Sequence, residues 1–145
     1  MITGFERYKQ AIAALPPRDR YAKEDLLVEQ FHMFSDGPLD IYYCPFDYVN
    51  CDAELVLVGI TPGFTQMELA FRTARNALAK GLPDDEVLRR VDAAGSFGGP
   101  MRKNPVAMPD DIGLPDPLRI PSSARPLPRR TGIGRVHLGR HGFDL

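Results

Sequence analysis

Residues 59–66, GITPGFTQ, combine backbone freedom and side chains that could handle a ligand. Gly59 and Gly63 permit unusual backbone angles and leave room for a ligand against the main chain. Pro62 stiffens the turn and holds the residue before it extended. A helix restarting after Gly63 would open with free N–H groups able to receive an anion or a carbonyl oxygen. Ile60 completes the turn. Thr61 brings a hydroxyl that can orient a water but no carboxylate to take its proton near neutral pH. Phe64 could stack on a ligand ring or pack against the first helical turn, and Gln66 could hydrogen-bond a ligand or cap the helix. The pattern is neither GxxxxGK[ST] nor GxGxxG, which excludes two common phosphate loops.

The elements that must position this turn follow from periodicity. Before it, AELVLVGI (53–60) reads as a strand, and its unbroken apolar run from Leu55 to Val58 suits burial on both faces, as in a parallel sheet. After it, Met67, Ala70, Phe71, Ala74 and Leu78 form one apolar stripe at helical spacing, with Gly81 as a stop. PDDEVLRRVDAA (83–94) is a further helix with acids at its start and arginines later. Upstream, TGFE at Thr3 has the form of a capping box, and Phe5, Tyr8, Ile12 and Leu15 recur until Pro16-Pro17. KEDLLVEQFHMF (23–34) reads as a second helix, and LDIYYC (39–44) as a short strand. His32, in that second helix, has no second metal-type residue spaced to join it.

Composition sets the broad class. At 145 residues, with 43% hydrophobic and 26% charged residues, the chain has the size and balance of one globular domain. No apolar run approaches the roughly 20 residues of a transmembrane helix, and the N-terminus lacks the layout of a signal peptide. The cytoplasm is the expected location. Cys44 and Cys51 flank PFDYVN without a CxxC or a His at ligand spacing, so they read as two reduced thiols, with neither zinc nor an iron–sulfur centre expected. His137 and His141 have i, i+4 spacing, but Gly139 and Gly142 argue against the helix a metal pair would need.

Charge is uneven. Residues 1–113 hold 12 basic and 17 acidic residues, whereas residues 114–145 hold six arginines and two aspartates. An acidic body argues against tight non-specific DNA binding by the N-terminal region. From about residue 104 apolar periodicity disappears, and seven prolines fall within 105–128. The expected division is therefore an α/β domain over 1–113 and a Pro/Arg-rich segment over 114–145. The latter has the composition of a disordered tail or of out-of-frame translation of a GC-rich gene.

LVLVGITPGFTQMELA resembles the first motif of the uracil-DNA glycosylase superfamily, a strand ending in Gly-x-x-Pro-Gly such as GINPG or GEAPG. The resemblance covers residues 45–80. It implies a glycosylase-like α/β fold, with a parallel sheet flanked by helices, incomplete here at the C-terminus. It also implies a cofactor-free monomer acting on DNA. Gly59, Ile60, Thr61, Pro62 and Gly63 would line a pocket for a base flipped out of the duplex, with Phe64 and Gln66 beside it. Thr61 occupies the place that usually carries Asn, Asp or Glu to position the attacking water. The family's late His-Pro-Ser or Asn-Pro-Ser motif has its nearest text in IPSSARPL (120–127), where Ile120 stands in place of His or Asn, so no role transfers to it.

Two further readings compete with the hydrolase. One is a non-enzymatic α/β module holding a nucleotide or small anion at the glycine loop; the other is a plain βα connection. Asp47 or Asp52 beside Thr61 would favour the hydrolase. Tyr42, Tyr43, Phe46 and Tyr48 would divide between a stacking wall and the core.

Overall fold

The computed structural model describes residues 4–51, 61–96 and 103–118. The elements run α1 (Gly4–Ala13), α2 (Lys23–Leu26), a 3-10 turn (Glu29–Phe31), β1 (His32–Asp36), β2 (Leu39–Tyr42), α3 (Phe64–Ala79), α4 (Asp84–Gly95), α5 (Lys103–Asp111) and α6 (Pro115–Leu118). Helices dominate. The sheet among the described residues is two-stranded and antiparallel. The expectation of a parallel sheet flanked by helices, glycosylase-like, is therefore corrected. The segment that suggested it, 53–60, lies outside the described residues, as do Thr3 and Asp52.

The core is built on aromatic contacts. Phe31 meets Phe71 edge-on at 4.7 Å, and Tyr8 stacks on Tyr43 at 4.2 Å. Phe5, Ile12, Leu26, Ala70, Ala74, Val87 and Val91 close around them. Phe31 and Phe71 are wholly buried, each contributing about 2–3 kcal/mol of hydrophobic stabilisation. Polar bonds then fasten the connection after α1 onto α3. The buried Glu68 carboxylate accepts from Arg72 Nε at 2.8 Å and from the Tyr21 backbone N–H at 3.3 Å. Arg75 Nε donates to the Leu15 carbonyl, and the Tyr21 hydroxyl to that of Pro16.

The stretch 23–34 is not one helix. It stops at Leu26, makes a 3-10 turn and enters a strand at His32. Long-range pairing overrides the local pattern: Gly37 takes φ +55° and Pro38 follows it, turning the chain so that β1 can pair with β2. A bulge at Met33, between the His32–Tyr42 and Phe34–Ile41 pairs, puts His32 and Ser35 on one face. Past residue 103 the prolines do not prevent helix. Pro105 falls in the first turn of α5, where its missing N–H has no helical acceptor, and Pro109 is accommodated inside. Gly113, at φ +73°, ends the segment.

α3 and α4 form the antiparallel pair that carries the turn of interest. Gly63 is the N-cap of α3, and Gly81 leaves the helix at φ +69°. Pro83 is the N-cap of α4, three acids occupy its first turn, and Lys9 of α1 pairs with Asp84 there. At the other end Gly95 sets the approach. A β-carbon there would stand 2.6 Å from Phe46 Cζ and 3.6 Å from the Gln66 carbonyl oxygen. We expect Gly95→Ala to lower stability by about 1–3 kcal/mol in urea unfolding, despite the better helix propensity of alanine. In a Phe46→Leu background the same change should cost less; an equal cost would mean that Phe46 does not set the spacing.

Candidate functional site

Thr61 and Gly63 are exposed, Pro62 and Phe64 half-buried, and Gln66 buried. Gly59 and Ile60 lie outside the described residues. As N-cap, Gly63 brings no side-chain acceptor to the first N–H groups of α3, and the first turn holds no acid. Gln66 arcs back: a β-carbon at Gly63 would lie 2.9 Å from Gln66 Oε1. That is the place of the N3 residue in a capping box, so the Gln66 side-chain oxygen lies against the start of the helix. Lys23 Nζ lies 5.9 Å from the centre of the Phe64 ring, near the limit of a cation–π contact.

The acid that sequence offered to Thr61 is engaged elsewhere. Asp47 accepts the Tyr43 hydroxyl at 2.5 Å and the Phe5 backbone N–H, capping α1 from a distant loop. Gly4 makes room for it, since a β-carbon there would stand 2.9 Å from Asp47 Oδ1. Burial raises the Asp47 carboxyl, and the two donors oppose that rise. Tyr43 is core, not a stacking wall, and its phenol is raised by burial and by Asp47. Burial also raises the thiol of Cys44; Cys51 is exposed, and both are free.

A different carboxylate, missed in the sequence, stands at the Thr61 end of the helix pair. Asp92, half-buried in the last turns of α4, accepts the Ser96 hydroxyl at 2.6 Å. Its pKa is pushed up from 3.8 to about 6, by burial first, with Ser96 opposing. The negative end of the helix dipole acts in the same sense as burial. That position was the available signal: an acid late in a helix, where cations are preferred. Because Gly95 packs against the Gln66 carbonyl, the last turn of α4 adjoins the first turn of α3.

A second cluster combines Ser, His and Asp but is not a nucleophilic triad. On the hairpin, Ser35 Oγ donates to Asp40 at 2.6 Å and lies 2.8 Å from His32 Nε2. With its single proton on Asp40, the hydroxyl can only accept from the imidazole, which therefore cannot act as its base. Ser35 first, then His32, holds the exposed Asp40 carboxyl below its ordinary value.

Comparison with known proteins adds one relative. The chain is 40% identical over 104 residues to a protein of Bacillus subtilis (strain 168) described as the uncharacterized protein YoxB; the match covers 71% of this chain and 41% of YoxB. The chain thus spans well under two thirds of that relative. No known protein family and no solved structure matches it. Among the described residues no helix is long and apolar enough to cross a membrane.

Asp92 makes stability depend on pH. Its folded pKa, about 6, exceeds its ordinary 3.8, so the folded state binds the proton more tightly. Its favourable contribution is complete below about 3.8 and is lost as pH rises through about 6. Asp92→Asn should therefore stabilise the protein by about 1–3 kcal/mol at pH 8 and leave stability near pH 3 little changed. Urea unfolding at the two pH values measures this, and an equal effect at both would contradict it.

Proposed function

We propose that the Thr61–Gln66 turn receives a nucleobase, and that the reaction it serves is hydrolysis of the N-glycosidic bond of a base turned out of DNA. The observation that carries this reading is the start of α3, where exposed Thr61 and the exposed N-cap Gly63 lead into a first helical turn that holds no acid. The N–H groups of such a turn suit a carbonyl of the base, which gains negative charge as the bond breaks. Thr61 holds the attacking water by hydrogen bonding. Half-buried Phe64 offers a ring at the same turn. The reading rests on this turn and on its resemblance to GINPG and GEAPG, not on the fold, which differs. The cytoplasm, where a DNA-acting enzyme would meet its substrate, is the location we propose.

A second reading is favoured by Lys23. Its ammonium beside Phe64, together with the acid-free first turn of α3, would also suit the phosphate of a nucleotide held without chemistry. The two readings separate by incubating the protein with a labelled oligonucleotide containing one uracil, then cutting abasic sites with alkali. The hydrolase reading predicts cleavage that falls about tenfold or more in Thr61→Ala, the loss of a water-orienting hydrogen bond worth ~1.4 kcal/mol or more. Binding of a nucleoside monophosphate without cleavage, weakened in Lys23→Glu, would support the module instead.

A further inference from the structure

A carboxylate half-buried in a folded protein is usually neutralised by a cation or by several donors. Other acids here follow that rule: Glu68 is bound by Arg72, Glu86 by Arg89 and Arg90, Asp84 by Lys9, and Asp47 by Tyr43 and the start of α1. Asp92 does not. Ser96 is its one hydrogen-bonding side chain among the described residues, and no cation acts on it there. The groups around it are otherwise committed. On its own helix Arg89 points to Glu86, and Tyr48, in the loop packed on α4, acts on Arg89. In that same loop Asp47 serves α1, and Glu68 of α3 is held by Arg72.

Geometry gives this acid a role. Gly95, one turn beyond Asp92, brings the end of α4 against the Gln66 carbonyl, with the Phe46 ring wedged at the junction. The start of α3 and the Asp92–Ser96 pair therefore share one end of the helix pair. Thr61, at that end, can orient a water but cannot take its proton.

We propose that Asp92, oriented by Ser96, is the general base of the Thr61 site and takes the proton of the water that attacks the glycosidic carbon. The proposal rests on the glycosylase reading above. The water oxygen bonds to the sugar C1′ as the C1′–N bond breaks, and the bonding pair leaves with the base. One water proton passes to the Asp92 carboxylate and then to solvent; the departing base takes a proton from solvent. No oxidant, reductant or further reactant is required. A carboxyl titrating at about 6 is mostly ionised at neutral pH and still basic enough for this transfer. Ser96 is a positioning residue. Its donated bond lowers the Asp92 pKa, so its loss should raise the pH at which the base form appears.

The test is cleavage of a uracil-containing duplex by the full chain from pH 4.5 to 8.5, with oligonucleotide affinity measured alongside. Asp92→Asn keeps an oxygen acceptor for Ser96, so the fold, checked by circular dichroism, should persist. The proposal predicts a fall in single-turnover rate of about 100-fold or more, with affinity within about threefold. It also predicts that Ser96→Ala keeps cleaving but moves the acidic limb of the rate profile to higher pH. If the wild-type protein cleaves and Asp92→Asn cleaves equally well, Asp92 is not the base, while the glycosylase reading stands. Loss of binding together with cleavage would make Asp92 structural and overturn the proposal. No cleavage by the wild type would overturn the glycosylase reading and, with it, this role.

Discussion

The close approach at Gly95 is the constraint on which the proposed site depends. With hydrogen in place of a side chain there, the Phe46 ring fills the space beside α4, and the helix end reaches the Gln66 carbonyl. Three segments far apart in sequence are thereby held together: the loop after β2, the start of α3 and the end of α4. The hydrophobic seam of Phe71, Ala74, Val87 and Val91 holds the helix pair onto α1 and the Phe31 turn. Packing of this kind transmits position, because close-packed interiors yield little. The start of α3 is thus presented on a rigid element, as the proposed site would require.

Charge placement sets Asp92 apart from the structural acids among the described residues. Glu68 and Asp47 each satisfy a backbone N–H while holding a partner, and so fix loops to helices. Asp92 fixes nothing comparable. It sits at the wrong end of a helix dipole, half-buried, with one neutral side-chain donor among the described residues. Such a carboxyl costs stability at neutral pH, and groups of that kind concentrate where proton transfer is needed.

Local pattern was sufficient where packing follows it. The apolar stripe of α3, its stop at Gly81 and the acid-first start of α4 were legible, and the helices fall within a residue or two of the expected limits. Where tertiary pairing competes, pattern misled. Leu26, Leu27, Phe31 and Phe34 have helical spacing, yet the chain spends His32–Asp36 on a hairpin turned by Gly37 and Pro38, leaving Phe34 exposed. The parallel sheet was inferred from Leu55–Val58, outside the described residues, and the observed sheet is an antiparallel hairpin elsewhere. Of the site, the exposed Thr61 turn was legible. Asp92 was not, because the meeting of α4's end with α3's start depends on Gly95 and Phe46, 49 positions apart in the chain.

If one end of the α3–α4 pair binds a base, two-dimensional amide NMR of the labelled protein, titrated with a single-stranded oligonucleotide containing uracil, will report it. Saturable shifts are expected, confined to Thr61, the amides of Gly63–Gln66 and those of Asp92–Ser96. Shifts centred on the His32–Tyr42 hairpin, or none at saturating oligonucleotide, would contradict base binding there.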